Sequence, residues 1–184
     1  MKNIWFISDT HFLHANMLNF ITAETGDRFR GRYFADQDDC DELMIENWNK
    51  HVKPGDHIWH LGDVFIGDKD KFETLWSRLN GKKRLIVGNH DDIKYLSGKS
   101  KSGVNFFEKV KVWQKMDDMI LTHVPMEMAN SYEGRHSTFN VHGHIHNNQS
   151  PTPRHYNMCV EHNDWSPVHY EDLKTFLNRR KAAL

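Results

Sequence analysis

Ile4-Trp5-Phe6-Ile7-Ser8-Asp9-Thr10-His11 is the stretch whose reading decides the fold. Its first four residues form a short, continuous apolar run, consistent with a strand buried on both faces. The run ends in an aspartate and a histidine two residues apart. The same pattern returns twice. His57-Ile58-Trp59-His60-Leu61 leads into Gly62-Asp63, and Arg84-Leu85-Ile86-Val87 leads into Gly88-Asn89-His90-Asp91. Between these runs the spacing turns helical. Cys40, Leu43, Met44 and Trp48 share one face of a segment that Asp36 can cap and Pro54-Gly55 closes. Phe72, Leu75, Trp76 and Leu79 form the core face of a second helix, from about Asp70 to Leu79, stopped by Asn80-Gly81. Strands joined through helices imply parallel pairing and right-handed crossovers, hence an α/β fold. Such folds place their chemistry at the strand ends, where the polar fragments fall.

The second half is richer in strands, predicted at Val110–Trp113, Met119–Thr122, Thr138–Val141 and Tyr156–Val160. A closing helix is predicted from about Glu171, with Leu173, Phe176 and Leu177 facing inward. Gly98 to Gly103 reads as an exposed loop, and Arg179-Arg180-Lys181 as a cationic helix end that complements the dipole. The 184 residues suit one domain spanning 1–184, with no internal repeat or linker. Net charge is −1, so no global positive field would attract a nucleic-acid polymer. The apolar run at the start stops too soon for a secretory core, and no stretch is long enough to span a bilayer. A cytoplasmic protein without membrane contacts is the expectation. Cys40 and Cys159 read as free thiols in a reducing compartment.

Fourteen histidines are the unusual number, because imidazole is both a common metal ligand and a proton carrier. Asp9 and His11, Asp63, Asn89 with His90, His123, and the cluster His142-Gly143-His144-Ile145-His146 bring carboxylate, amide and imidazole groups to the ends of predicted strands. Two ions about 3.5–4 Å apart need such donors and one bridging group, a task a carboxylate does well. Donors without thiolate suit Mn, Fe, Zn, Ni or Co.

These fragments, D-x-H, G-D, G-N-H-D/E, H and G-H-x-H in that order, resemble the calcineurin-like metallophosphoesterase superfamily. The likeness runs from Asp9 to His146. It is nearest to the small single-domain phosphoesterases of bacteria and their phages, which open with a segment similar to Ser8-Asp9-Thr10-His11-Phe12-Leu13-His14-Ala15-Asn16. The resemblance implies a two-sheet α/β/β/α sandwich and two divalent ions, with Mn foremost. It also implies that Asp9, His11 and His146 hold one ion, Asn89, His123 and His144 the other, with Asp63 bridging. His90 would not be a ligand but would protonate the leaving oxygen or stabilise the phosphoryl group. The nucleophile would be a metal-bound hydroxide attacking in line.

Other residues carry weaker signals. His14 is a candidate for touching substrate phosphate, against capping the following helix. Asp91 either orients a neighbour or stabilises its turn. Arg28, Arg30 and Arg32 follow the first motif. Arg32 is the candidate to grip phosphate, and the first two read more simply as a solvated basic loop. Arg135 and His136 carry the same ambiguity. The remaining histidines, among them His60, His142 and His155, read as core or surface residues, and the six tryptophans as packing.

The function expected is hydrolysis of a small phosphodiester, nucleotide-like or at a nucleic-acid end. A monoesterase of the same fold and an inactive metal-binding interaction module are the alternatives. A metallo-β-lactamase-like reading of His142-x-His144-x-His146 fails because Asp9 and Asn89 would go unexplained.

Overall fold

The structure, a computed structural model, describes residues 3–21, 26, 28–127 and 139–182. The β/α alternation of the first half is present. β1 (Ile4–Ile7), β2 (His57–His60), β3 (Lys82–Ile86) and β4 (Lys109–Lys111) run parallel in one sheet of order β4-β3-β2-β1-β9. β9 (Val168–His169) is antiparallel to β1. A second sheet has the order β5-β6-β7-β8. There β5 (Gln114–Met116) is antiparallel, and β6 (Met119–Leu121), β7 (Phe139–His142) and β8 (His155–Asn157) are parallel. Two mixed sheets with helices make the expected α/β sandwich.

Side-chain alternation explains why the first sheet reads as unbroken apolar runs: both of its faces are covered. Ile7, Ile58 and Leu85 face one core, with Met44 and Trp48 of α1 (Gln37–His51) and Phe72 and Trp76 of α2 (Lys69–Ser77). Leu96 of the short α3 (Ile93–Leu96) joins that core. Phe6, Trp59 and Ile86 face the other, which Leu121, Phe139 and Val141 of the second sheet complete. Each such side chain, fully buried, is worth about 1.5–3 kcal/mol. Trp48 is wholly buried because its indole N–H finds the Asn80 carbonyl at 2.9 Å.

Helix boundaries follow capping chemistry. Asp36 accepts from the Asp39 N–H to open α1, and Asp68 accepts from the N–H groups of Asp70 and Lys71 to open α2. Gly98 to Gly103 is largely exposed, as expected. Arg179, Arg180 and Lys181 do occupy the last turn of α4 (Tyr170–Lys181).

Some expectations fail. Leu173 and Leu177 of α4 are buried, but Phe176 is 39% exposed, its ring edge-on to Tyr156 with Arg180 over it. An apolar residue beside a stripe is not always inside it. Val112 and Trp113 leave the sheet after β4 and are exposed, because the chain turns there into β5. Trp113 is thus not a packing residue. The strand predicted to reach Val160 ends at Asn157, and Val160 opens a 3-10 turn. Arg135, His136 and the start of the strand predicted at Thr138 lie outside the described residues.

Replacing Asp68 with Ala leaves two N–H groups of α2 uncapped. Urea unfolding should show a loss of about 1 kcal/mol with an unchanged slope; an unaltered midpoint would mean that the cap does not hold the helix.

Candidate metal centre

The sequence fragments converge where the parallel strands of both sheets end. Asp9 follows β1, Asp63 follows β2, Asn89 follows β3, His123 follows β6, and His144 and His146 follow β7. The two sheets meet at this point through a bridge between Ser8 and Cys159, and the Val160 N–H donates to the Ser8 carbonyl at 3.2 Å.

Sharp backbone turns aim the side chains. Asp9, His11, Asp63, His144 and His146 all have positive φ, between 47° and 70°. They are five of the nine described non-glycine residues in that region. Left-handed backbone costs an L-residue about 1–2 kcal/mol, so the arrangement must be held by its surroundings. Two glycines show how closely. A Cβ on Gly143 would lie 2.1 Å from an Asp9 carboxylate oxygen, and one on Gly88 would lie 2.2 Å from Asp63 Oδ1. Only glycine lets the strand ends approach the carboxylates.

Among the described residues, three groups of donors could each hold an ion: Asp9, His11 and Asp63; Asp63, His123 and His144; and Asp9, His146 and Cys159. The first two share Asp63. Its Oδ2 lies 3.6 Å from His11 Nε2 and 3.4 Å from His123 Nε2, facing both halves of the cluster. Its Oδ1 is occupied by the His90 N–H at 2.9 Å. Asn89 Oδ1 reaches His123 Nε2 at 2.9 Å, and His146 Nε2 lies 4.0 Å from Asp9 Oδ1. The ligand set expected from the motifs is therefore brought together.

The chemistry of the donors fits divalent cations. Among the described residues, neither buried ring nitrogen of His11 has a hydrogen-bond partner, an expense that a bound ion would remove. Burial, and then the positive charge of Arg30, hold the His11 imidazole down at about 2, so it is a neutral lone-pair donor. His123 differs. Burial opposes its charge, but Asp63 and Asp9 draw positive charge to it and raise it to about 9. Its Nδ1 lies 2.8 Å from the Leu61 carbonyl, which can only accept, so Nδ1 carries a proton and Nε2 points into the cluster. Asp63 is held well below the usual carboxylate range, because His123 and the His90 N–H outweigh the burial that opposes its ionisation.

Neighbouring residues divide into support and rim. Asp91 accepts from the N–H groups of Gly88, Asp63 and Val64, so it ties the second and third motifs together. His60 is structural: its Nδ1 accepts from Gly62 N–H, and its Nε2 donates to Thr10 Oγ1, which itself donates to the Val64 carbonyl. His142 and His155 are likewise buried, each hydrogen-bonded at both ring nitrogens. His90 is exposed, its ring 5.9 Å from that of His11. His14 makes no side-chain cap, and its ring lies 5.5 Å from His11, with Nδ1 unpartnered among the described residues. Arg32 is exposed, with its guanidinium over the Tyr33 ring at 4.6 Å.

Arg30 corrects the sequence reading. It is wholly buried, paired to Glu161 and donating to the carbonyls of Asp9 and Thr10, and so is no part of a solvated loop. Cys159 and Ser8 were also missed. Both donate to Asp9 Oδ2, at 3.2 and 2.5 Å, and burial keeps Cys159 a neutral thiol. Glu161 left one trace in sequence, a charge at the end of the apolar run Met158-Cys159-Val160.

The sequence model described as calcineurin-like phosphoesterase matches residues 2–181. An uncharacterized protein of Methanocaldococcus jannaschii is 28% identical over 192 residues, covering 99% of this chain and 95% of that protein. The Gene 66 protein of Mycobacterium phage L5 is 28% identical over 173 residues, covering 79% of this chain and 78% of its own. Among solved structures, a protein of unknown function from Aquifex aeolicus aligns with a TM-score of 0.68 at 25% identity, covering 95% of this chain and 99% of that one. With the donors converging as the motifs require, the match over nearly the whole length establishes that this chain belongs to the calcineurin-like phosphoesterase family.

Proposed function

We propose that the protein is a phosphodiesterase that uses two divalent ions, Mn²⁺ foremost, to cleave a small nucleotide-like phosphodiester or one at a nucleic-acid end. Asp9, His11 and His146 would hold one ion and Asn89, His123 and His144 the other. The observation that carries this reading is Asp63 Oδ2, equidistant within 0.2 Å from His11 and His123, where a bridging carboxylate oxygen would be needed. Ions held there supply positive charge that acidifies water and offsets the charge on phosphoryl oxygens.

The remaining roles belong to the chain. His90 is our candidate proton donor to the departing oxygen, being exposed beside His11 while its N–H fixes Asp63. His14 and Arg32 are our candidates for contacts to substrate oxygens, His14 through its position against His11. Preference for a diester draws support from two features. Asn89, His90 and His144 are exposed, leaving room for a second substituent on phosphorus. Arg30 is committed to Glu161 and so does not add charge to match a dianion. A monoesterase is the second reading, favoured by Arg32, an exposed cationic residue two positions from Arg30.

Metal-stripped protein given back Mn²⁺ should hydrolyse an aryl phosphodiester faster than the matching monoester; turnover of the monoester alone would overturn the diesterase reading. Asp63→Asn should weaken both ions and reduce turnover by more than the roughly 10–100-fold typical of losing an outer partner. Full activity in that variant would rule out a bridge. His90→Asn should keep its metal yet lose about 10²–10⁴ in rate, least for esters with good leaving groups. An equal loss across leaving groups would argue against proton donation.

A further inference from the structure

His146 carries its two ring nitrogens into different surroundings. Nε2 faces Asp9 Oδ1 at 4.0 Å, whereas Nδ1 lies 3.3 Å from Glu161 Oε1. A carboxylate only accepts, so the pair fixes the proton on Nδ1 and leaves the Nε2 lone pair free for a cation. Glu161 is itself fixed. The same Oε1 accepts from Arg30 Nε at 2.9 Å and Nη2 at 2.7 Å.

The other end of Arg30 grips the backbone of the first motif. Nη2 donates to the Asp9 carbonyl at 2.6 Å and Nη1 to the Thr10 carbonyl at 2.8 Å. These two successive peptide groups lie between the left-handed residues Asp9 and His11, whose φ values are 57° and 47°. The guanidinium is rigid and planar, so its donors hold their targets in a fixed relation. One buried ion pair therefore orients His146 and pins the turn that presents Asp9. Both residues fall in the same half of the centre. In the opposite half the His123 ring is held by the Leu61 carbonyl, and His144 meets Asp9 through its backbone N–H, at 3.1 and 2.9 Å to the two carboxylate oxygens, with its imidazole outside the Arg30–Glu161 contacts.

We propose that Arg30 and Glu161 are positioning residues for one metal ion only, setting His146 and Asp9 for the ion on their side of Asp63 and leaving the ion at Asn89, His123 and His144 unaffected. The inference rests on the two-ion reading above and adds an asymmetry to it. Losing such an outer partner characteristically weakens metal affinity about 10–100-fold.

The test is calorimetric titration of metal-stripped protein with Mn²⁺, with bound metal counted by elemental analysis. The unaltered chain should take up two ions. In Glu161→Gln one binding event should weaken about 10–100-fold while the other stays within about 2-fold. Against a His146→Ala background the same substitution should add little, because its effect runs through that imidazole. Glu161→Gln strands the buried Arg30 charge and risks the fold, so a companion variant pairs Arg30→Met with Glu161→Leu. It removes the charge and the acceptor together and should show the same one-site loss. Equal weakening of both ions, no weakening, or a full further loss in the His146→Ala background would each overturn the proposal. If the unaltered chain binds no Mn²⁺, the two-ion reading falls and takes this inference with it. Two ions in the parent with a symmetric loss would overturn the inference alone.

Discussion

Buried negative charge is the constraint on which the rest of this molecule depends. Asp9 and Asp63 are essentially inaccessible to water, and carboxylates are not buried without compensation. The protein meets part of the need with neutral donors. Ser8, Cys159 and the His144 N–H converge on Asp9, and the His90 N–H reaches Asp63. Arg30 is matched to Glu161, while His123, 3.4 Å from Asp63 Oδ2, is drawn towards its charged form. The facing imidazole of His11 is neutral. A bound cation would add to that balance, and the ring nitrogens of His11, without hydrogen-bond partners among the described residues, mark one place for it.

Histidine serves three purposes here, and the hydrogen-bond partner decides which. At His60, His142 and His155 both ring nitrogens are engaged by protein groups, and these residues pack as polar core. His123 and His146 have one nitrogen tied to an acceptor and the other turned inward. His90 is exposed at the rim, its ring 5.9 Å from that of His11. Counting imidazoles could not separate these classes. Spacing within short motifs did much of that work, because each motif is a strand end with its turn.

That locality explains what was legible. A strand followed by a turn is written in consecutive residues, and so the first three strands, their helices and the ligand fragments could be read directly. Arg30 could not, since its meaning depends on Glu161, far along the chain. Ser8 and Cys159 become partners of Asp9 only when the two sheets meet. Phe176 and Trp113 were misread for a related reason: apolar character records what a side chain could bury, and the neighbouring elements decide whether it does. The necessity of Gly88 and Gly143 is likewise tertiary, set by carboxylates approaching from other strands.

The topology of the first sheet has a consequence for the order of assembly. β1 pairs on one side with β2 and on the other with β9, so its second edge stays open until residues 168–169 have been synthesised. The bridge from Ser8 to Cys159 must wait almost as long. Contacts of such sequence separation form late, since the intervening loop must be closed before they repay its entropy. During translation the emerging chain would hold Asp9 and Asp63 in a half-built sheet, with His144 and His146 still to come. The full donor set is therefore completed only in the final stage of folding, whereas the group of Asp9, His11 and Asp63 lies wholly within the first 63 residues.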